Sequence, residues 1–315
     1  MKLASIRYSG QDRVALLRDN SEVAFVEGFT SMLDLIRSGE DAARFASKTT
    51  VSLRELEWRP PIPYPGKICC VAMNNSASNA RKISAPDHPA FFLKPPSCLI
   101  GHGQIIRIRR YYGSVHPEPE LAIVIGKTAR DVDAVSATDY VFGYTIFNDI
   151  TGNGMRAEDM FHYWALYTDP ENPDELQRRE QHLSYAARYK GSDTFGSMGP
   201  VLVTTDEIGD PDNLDVTCTV GGELVAEDST RYYNYKVAEI LSFISQFQTL
   251  EPGDVISCGT AFKPSENRKS IHHANFQDVA GPVEVTISGI GTLVNPVEIE
   301  DRPIGKWRLN RSNDT

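Results

Sequence analysis

Pro117-Glu118-Pro119-Glu120-Leu121-Ala122-Ile123-Val124-Ile125-Gly126-Lys127 is the stretch from which the rest of the chain can be read. A short apolar run of high β-propensity, closed by glycine, predicts a buried strand. Residues i and i+2 of a strand share a face, so Glu118 and Glu120 project to the same side as Ala122 and Val124. Two carboxylates at the edge of a buried face repel each other unless something positive lies between them. A third acid, Asp149, ends another apolar run, Tyr144-Thr145-Ile146-Phe147-Asn148. Three carboxylates without cysteine partners suit a hard cation, Mg²⁺ first and Mn²⁺ or Ca²⁺ next. A glutamate pair spaced two apart is, taken alone, most often a solvated strand end, so the surrounding pattern has to decide.

Around this stretch the chain is strand-rich. Short apolar runs at 67–72, 144–147, 201–203, 255–257 and 283–287 read as strands, and Gly221-Gly222 marks a two-residue hairpin turn. Val237, Ile240, Leu241, Ile244 and Phe247, at spacings of three and four, predict a helix. Residues 1–62 read as a small N-terminal domain: three strand-like pieces, then a helix capped by Thr30 or Ser31 and ended by Gly39. The segment 59–66 holds four prolines in eight residues and is the expected linker. Residues 66–300 are the expected catalytic domain, and 301–315 a tail. The segment 155–189 is aromatic, charged and proline-bearing, which is the composition of a lid or binding loop.

The chain has 315 residues, 41% hydrophobic and 23% charged, so it can bury a substantial core. A net charge of −10 argues against a nucleic-acid partner, and Arg107-Ile108-Arg109-Arg110 is too short a basic run to change that. No apolar run has membrane-spanning length, and the charged first twenty residues do not make a signal peptide. The five cysteines, Cys69, Cys70, Cys98, Cys218 and Cys258, are odd in number, lie in apolar runs and form no CxxC pair. They read as reduced thiols, which implies a cytoplasmic location and no zinc-thiolate site.

The run Glu118-x-Glu120-Leu-Ala-Ile-Val-Ile-Gly-Lys followed by Gly143-Tyr-Thr-Ile-Phe-Asn148-Asp149 resembles the fumarylacetoacetate hydrolase family. So do Tyr189-Lys190-Gly-Ser-Asp193-Thr-Phe195-Gly-Ser-Met-Gly199-Pro200, Phe92-Leu93-Lys94-Pro95, Leu250-Glu251-Pro252-Gly253-Asp254-Val255-Ile256 with Gly259-Thr260, and Gly289-Ile290-Gly291-Thr292-Leu293. These segments occur in family order from about residue 66 to residue 297. The resemblance implies an α+β, mainly β fold: a mixed β-roll catalytic domain beside a small N-terminal one. It also implies a divalent metal, a homodimer and chemistry on a small 2-oxo or dicarbonyl acid. By resemblance Glu118, Glu120 and Asp149 match metal ligands, Lys190 matches a lysine facing the substrate, and Gly259 and Thr260 match the segment that holds the substrate carboxylate.

Three protein ligands leave three positions of a six-coordinate ion, enough for two substrate oxygens and a water, and an enolate would be stabilised there. Family hydrolases carry a His–Glu pair early in the catalytic domain that orders a lid and activates water. Here Ser78 and Arg81 stand at those positions. Asn153 stands where an arginine is expected, unless a small insertion makes Arg156 its equivalent. The expected reaction is hydrolytic cleavage of a C–C bond in an acylpyruvate-like acid. A decarboxylase or dehydratase on the same scaffold is the first alternative, and a non-catalytic, metal-stabilised binding protein the second. If water is activated, the base should come from the long segment, with His162 first and Glu158 next, then His272 or His273. His116, two residues before Glu118, is expected on the rim.

Overall fold

The computed structural model describes residues 1–18, 21–266 and 270–307. The predicted strand is present as Pro119–Ile125, and every residue in it is buried. It pairs antiparallel with Val141–Asp149 on one side and with Val255–Ser257 on the other. Leu121, Ile123 and Ile125 face one apolar core, whereas Ala122 and Val124 face a second one with Phe147 and Met198. Burial on both faces explains why the strand is a continuous apolar run rather than an alternating one. Only its N-terminal end, where Pro117 and Pro119 leave fewer backbone donors, emerges toward a polar region, and there the two glutamates sit.

The remaining strands extend this arrangement into a twelve-stranded mixed sheet whose main path runs from Ala46–Ser52 at one edge to Ala90–Lys94 at the other. Gly196–Thr204 pairs with Val141–Asp149, so Asp149 lies opposite Gly196. A four-stranded sheet, Asp215–Val220, Glu223–Ser229, Val283–Ile287 and Gly291–Asn295, packs on the first core, with the predicted turn at Gly221-Gly222. The predicted helix is Val237–Ser245, with Ile240, Leu241 and Ile244 buried, while Phe247 lies beyond its end and is exposed.

The N-terminal elements follow their signals. Ser31 caps Met32–Ser38 by accepting a hydrogen bond from the Asp34 amide, and Gly39 closes the helix at φ 67°, the left-handed geometry glycine tolerates. The strand Lys2–Tyr8 hydrogen-bonds directly to Gly196–Thr204, so residues 1–58 continue the central sheet. The proline-rich segment 59–66 has no regular structure, yet Pro60, Pro61 and Ile62 are buried; it is packed against the protein rather than spanning solvent. The expected tail, from residue 308 on, lies outside the described residues, and 301–307 has no regular structure.

The segment expected to be a loop is a hairpin. Met160–Thr168 and Leu176–Ser184 pair across nine positions and, among the described residues, with no other strand. Phe161, Trp164, Leu166 and Leu176 on it are exposed. The turn comes from Asp169, Pro170, Asn172 and Pro173, residues that favour turn geometry.

Leu3 is fully buried in the same core as Phe147, Ala122 and Val124, directly behind the strands that carry the acids. Leu3→Ala should therefore destabilise the whole protein by about 2–5 kcal/mol in one transition. Urea denaturation followed by both tryptophan fluorescence and circular dichroism checks this; two separated transitions would show that residues 1–58 unfold on their own.

Candidate metal centre and substrate cavity

Strand pairing brings the three acids together. Glu118 precedes its strand, and its backbone faces the end of Val141–Asp149: the Asp149 amide donates to the Glu118 carbonyl at 3.0 Å, and the Glu118 amide donates to Asn148 Oδ1 at 2.9 Å. Glu118, Glu120 and Asp149 each offer a carboxylate oxygen within 4.8 Å of the other two. Glu120 and Asp149 are each 1% exposed. Such a cluster is tolerable only with compensating cations and hydrogen bonds.

Two lysines supply the charge. Lys190, from the short helix Ala187–Gly191, places Nζ 2.6 Å from Asp149 Oδ2 and 3.0 Å from Glu118 Oε2. Lys94, at the end of Ala90–Lys94, is 2% exposed and places Nζ 2.5 Å from Asp149 Oδ1. It also donates to the Phe195 carbonyl at 2.9 Å. Thr260 Oγ1 donates toward Glu118 Oε2 at 2.7 Å and lies 3.1 Å from Glu120 Oε1. The Gly259 amide and the Ser257 hydroxyl donate to Glu120 Oε2 at 3.0 and 2.5 Å, and Thr151 donates to Glu118 Oε1 at 2.6 Å.

These surroundings split the acids. Burial, then Asp149 and Glu118, push Glu120 up to about 8. Burial also works to raise Glu118, but Lys190, then His116 and Thr151, outweigh it and hold Glu118 well below the ordinary carboxylate range. Burial opposes the Lys190 charge, but Asp149, Glu118 and Glu120 outweigh burial and keep the ammonium protonated. Three carboxylates and two ammoniums carry one net negative charge, and a proton on Glu120 cancels it. A divalent cation replacing that proton turns the cluster to one net positive charge. An all-oxygen donor set, buried and hydrogen-bonded from behind, fits a hard cation.

A cavity of about 230 Å³ opens beside the cluster, lined by Ser78, Arg81, Glu118, Arg156, Thr260 and His272 among others. Drug-sized sites run to about 300–1,000 Å³, so this one suits a small acid. His116 is completely buried rather than on the rim: its Nε2 lies 3.2 Å from Glu118 Oε1, and its ring packs edge-on to His272 at 4.4 Å. The Asn153 amide lies between the two rings, 3.3 Å from His116 Nδ1 and 2.6 Å from His272 Nδ1. Burial first and His116 next lower His272 to about 4, so it is neutral at pH 7.

Of the residues expected at the site, Glu118, Glu120, Asp149, Lys190, Gly259, Thr260 and Arg156 are brought together. His162 and Glu158 are not. His162 stacks on His182 at 4.2 Å and pairs with Glu180 at 3.2 Å on the exposed hairpin, because hairpin pairing satisfies it locally. Glu158 pairs with Arg188 at 2.7 Å and is not among the residues that line the cavity. Sequence reading did not select Lys94, Thr151 and Ser257. Lys94 had a signal, a lone lysine ending an apolar run; Thr151 and Ser257 had none beyond their neighbours.

A family model for the fumarylacetoacetate (FAA) hydrolase C-terminal region matches residues 67–298, which contain every residue of this centre. The chain belongs to the fumarylacetoacetate hydrolase family. It is similar to the oxaloacetate tautomerase YisK of Bacillus subtilis, 34% identical over 78% of this chain and 74% of that protein. Among solved structures of the family's fold, it resembles a maleylpyruvate hydrolase from Sphingobium sp. SYK-6 in complex with manganese (II) ion and pyruvate. That likeness has a TM-score of 0.69 and 25% identity over 95% of this chain and 99% of the other. A 5-carboxymethyl-2-hydroxymuconate delta-isomerase from Mycobacterium smegmatis aligns with a TM-score of 0.70 and 25% identity over 96% of this chain and all of the other, 100%. The family's members thus include a tautomerase, a hydrolase and an isomerase. Among the described residues, no helix is long and apolar enough to cross a membrane.

A metal ion must displace the proton that burial keeps on Glu120, so Mn²⁺ affinity should rise with pH. The expected slope is about tenfold per unit below pH 8, levelling above it. Titration calorimetry from pH 6 to 9 checks this, and a flat profile would contradict it. Glu120→Gln should weaken binding and flatten the slope.

Proposed function

We propose that this protein is a divalent-metal-dependent enzyme that enolises a small 2-oxo acid, with keto–enol tautomerisation of an oxaloacetate-like substrate as its net reaction. The observation that carries this is the pairing of a buried carboxylate triad and two lysines with a positively lined cavity whose lid turn, Ser76–Arg81, offers no His–Glu pair. Tautomerisation needs a proton moved at the carbon beside the carbonyl, and no activated water. The similarity to an oxaloacetate tautomerase supports the same choice.

A hard divalent cation held by Glu118, Glu120 and Asp149 would supply Lewis-acid polarisation of the 2-oxo group. The protein's own groups do the rest. The Lys190 ammonium, kept protonated, stabilises negative charge developing on the enolate oxygen. Thr260 and the Gly259 segment orient the carboxylate next to the carbonyl. We assign the proton exchange to His272, neutral at pH 7 and linked through Asn153 and His116 to Glu118. The reading carries with it Mg²⁺ or Mn²⁺ as the resident ion, a homodimeric assembly and a cytoplasmic location.

Hydrolytic C–C cleavage of an acylpyruvate is the second reading. It is favoured by the fold shared with a maleylpyruvate hydrolase, and enolate stabilisation serves it equally. It requires a group at the cavity that activates water, and His272 would have to do so.

The test is a metal-stripped sample reloaded with Mg²⁺ or Mn²⁺ and given oxaloacetate, acylpyruvates and other 2-oxo acids, with enol absorbance and product masses recorded. Turnover should vanish with a chelator, return with metal, leave the substrate mass unchanged, and fall about 10²-fold or more in Lys190→Met. A mass gain of water would establish hydrolysis, and a loss of carbon dioxide or water a lyase. Loss of thermal stability alone on metal removal, with no turnover of any acid, would leave only a metal-stabilised scaffold.

A further inference from the structure

The lid turn carries an inverted charge. At the position where the family's hydrolases have the glutamate of the lid pair, this chain has Arg81, at the end of the turn Ser76–Arg81. The turn is held firmly. Asn75 accepts from the Ala77 amide and donates to Asp228 Oδ2 at 2.6 Å. The Ser78 hydroxyl donates to the Asn75 carbonyl at 2.6 Å, and Asn79 pairs with Asn234 at 2.9 Å. Asn74, just before the turn, donates to the Tyr235 and Cys258 carbonyls at 3.0 and 2.8 Å, tying it to the strand that leads to Thr260. The backbone at Arg81 is therefore fixed relative to the metal centre, and only its exposed side chain is free to adjust.

Arg81 and Arg156 both line the cavity that Glu118 and Thr260 also line. Among the described residues, neither guanidinium has a carboxylate within ion-pair distance. Arg156 instead sits 5.9 Å from the centroid of the Tyr189 ring. Two arginines that line one small cavity, neither of them paired with a carboxylate, favour an anion entering from solution. Both arginines are felt at His272, where, after burial and His116 and against the opposite pull of Glu118, Arg81 and Arg156 oppose its protonation. Guanidinium is the side chain that recognises a carboxylate by paired, parallel hydrogen bonds.

We propose that Arg81, together with Arg156, binds a second carboxylate at the far end of the substrate, so that the protein selects short 2-oxo dicarboxylates over 2-oxo monocarboxylates. This rests on the reading of the cavity as the site of a 2-oxo acid. The head of the molecule, its 2-oxo carboxylate, lies at the metal centre with Lys190 and Thr260, and its tail reaches the arginines. Arg81 is a specificity residue, and its loss weakens binding of the tail and leaves the chemistry at the head.

The probes are oxaloacetate, which has a tail carboxylate, and oxalate, which has only the chelating head. Their affinities for Mn²⁺-loaded protein are measured by calorimetry, with oxaloacetate turnover in parallel. Arg81→Met should weaken oxaloacetate binding roughly 10- to 100-fold, raise KM by a similar factor, and change oxalate affinity by no more than about twofold. Arg81→Lys should recover part of the loss. Arg81 is exposed, so the variant is expected to fold, and its melting temperature confirms that. Equal weakening of both probes, or no change in either, would overturn the proposal. Turnover with unchanged KM in Arg81→Met would remove the arginine clamp and leave the enolising enzyme. Selective tail binding by a wild-type protein that turns nothing over would do the reverse.

Discussion

Three carboxylates within 4.8 Å of one another, two of them almost fully buried, is the arrangement the rest of this structure has to accommodate. Unpaired, such a cluster would cost several kcal/mol per ion. The fold answers with charge. Lys94 comes from the far edge strand of the central sheet and Lys190 from a short helix after the hairpin, and both reach the same aspartate. Hydroxyls from Thr151, Ser257 and Thr260 and the Gly259 amide donate to oxygens of the two glutamates. Burial first, and Asp149 and Glu118 next, favour a proton on Glu120, and two ammoniums leave the three carboxylates one charge short. A divalent cation removes that mismatch and reverses the sign of the site, which makes it attractive to an acid substrate.

The architecture explains why so many segments converge. Pro119–Ile125 is central in a sheet buried on both faces, so polar groups can appear only at its end. Each neighbouring strand contributes a group at that same end: Asp149 and Thr151 from one side, Ser257, Gly259 and Thr260 from the other. The hairpin 160–184 stands apart. An isolated two-stranded hairpin is marginal in water, and this one exposes several aromatic side chains, yet its roots are the two short helices that carry Arg156 and Lys190.

Much of this was legible in the chain. The i, i+2 spacing of Glu118 and Glu120 on an apolar strand, and Asp149 at the end of another, indicated three acids at one edge, and the ordered family segments extended this to Lys190 and Thr260. What escaped was set by tertiary contact. Lys94 ends an apolar run, but its role appears only when its strand pairs beside Ile68–Ala72. His116 reads as a rim residue by proximity to Glu118, but pairing of Val115–His116 with Thr151–Gly152 draws it inside. The run Met160–Thr168 had strand-forming aromatics and a proline-bearing turn after it, so its hairpin could have been read. Its unusual length suggested a lid instead, and His162 was attributed to a site from which hairpin pairing keeps it.

The claim on which the account turns is that the acid triad is a cation site held open by lysine. Diffraction from crystals soaked in Mn²⁺, with data collected at the manganese absorption edge, tests it directly. The account predicts one anomalous peak about 2.0–2.6 Å from oxygens of Glu118, Glu120 and Asp149, with the Lys190 ammonium moved off Asp149 and Lys94 still in place. No peak at the triad at saturating Mn²⁺, with Lys190 still bonded to Asp149, would contradict it.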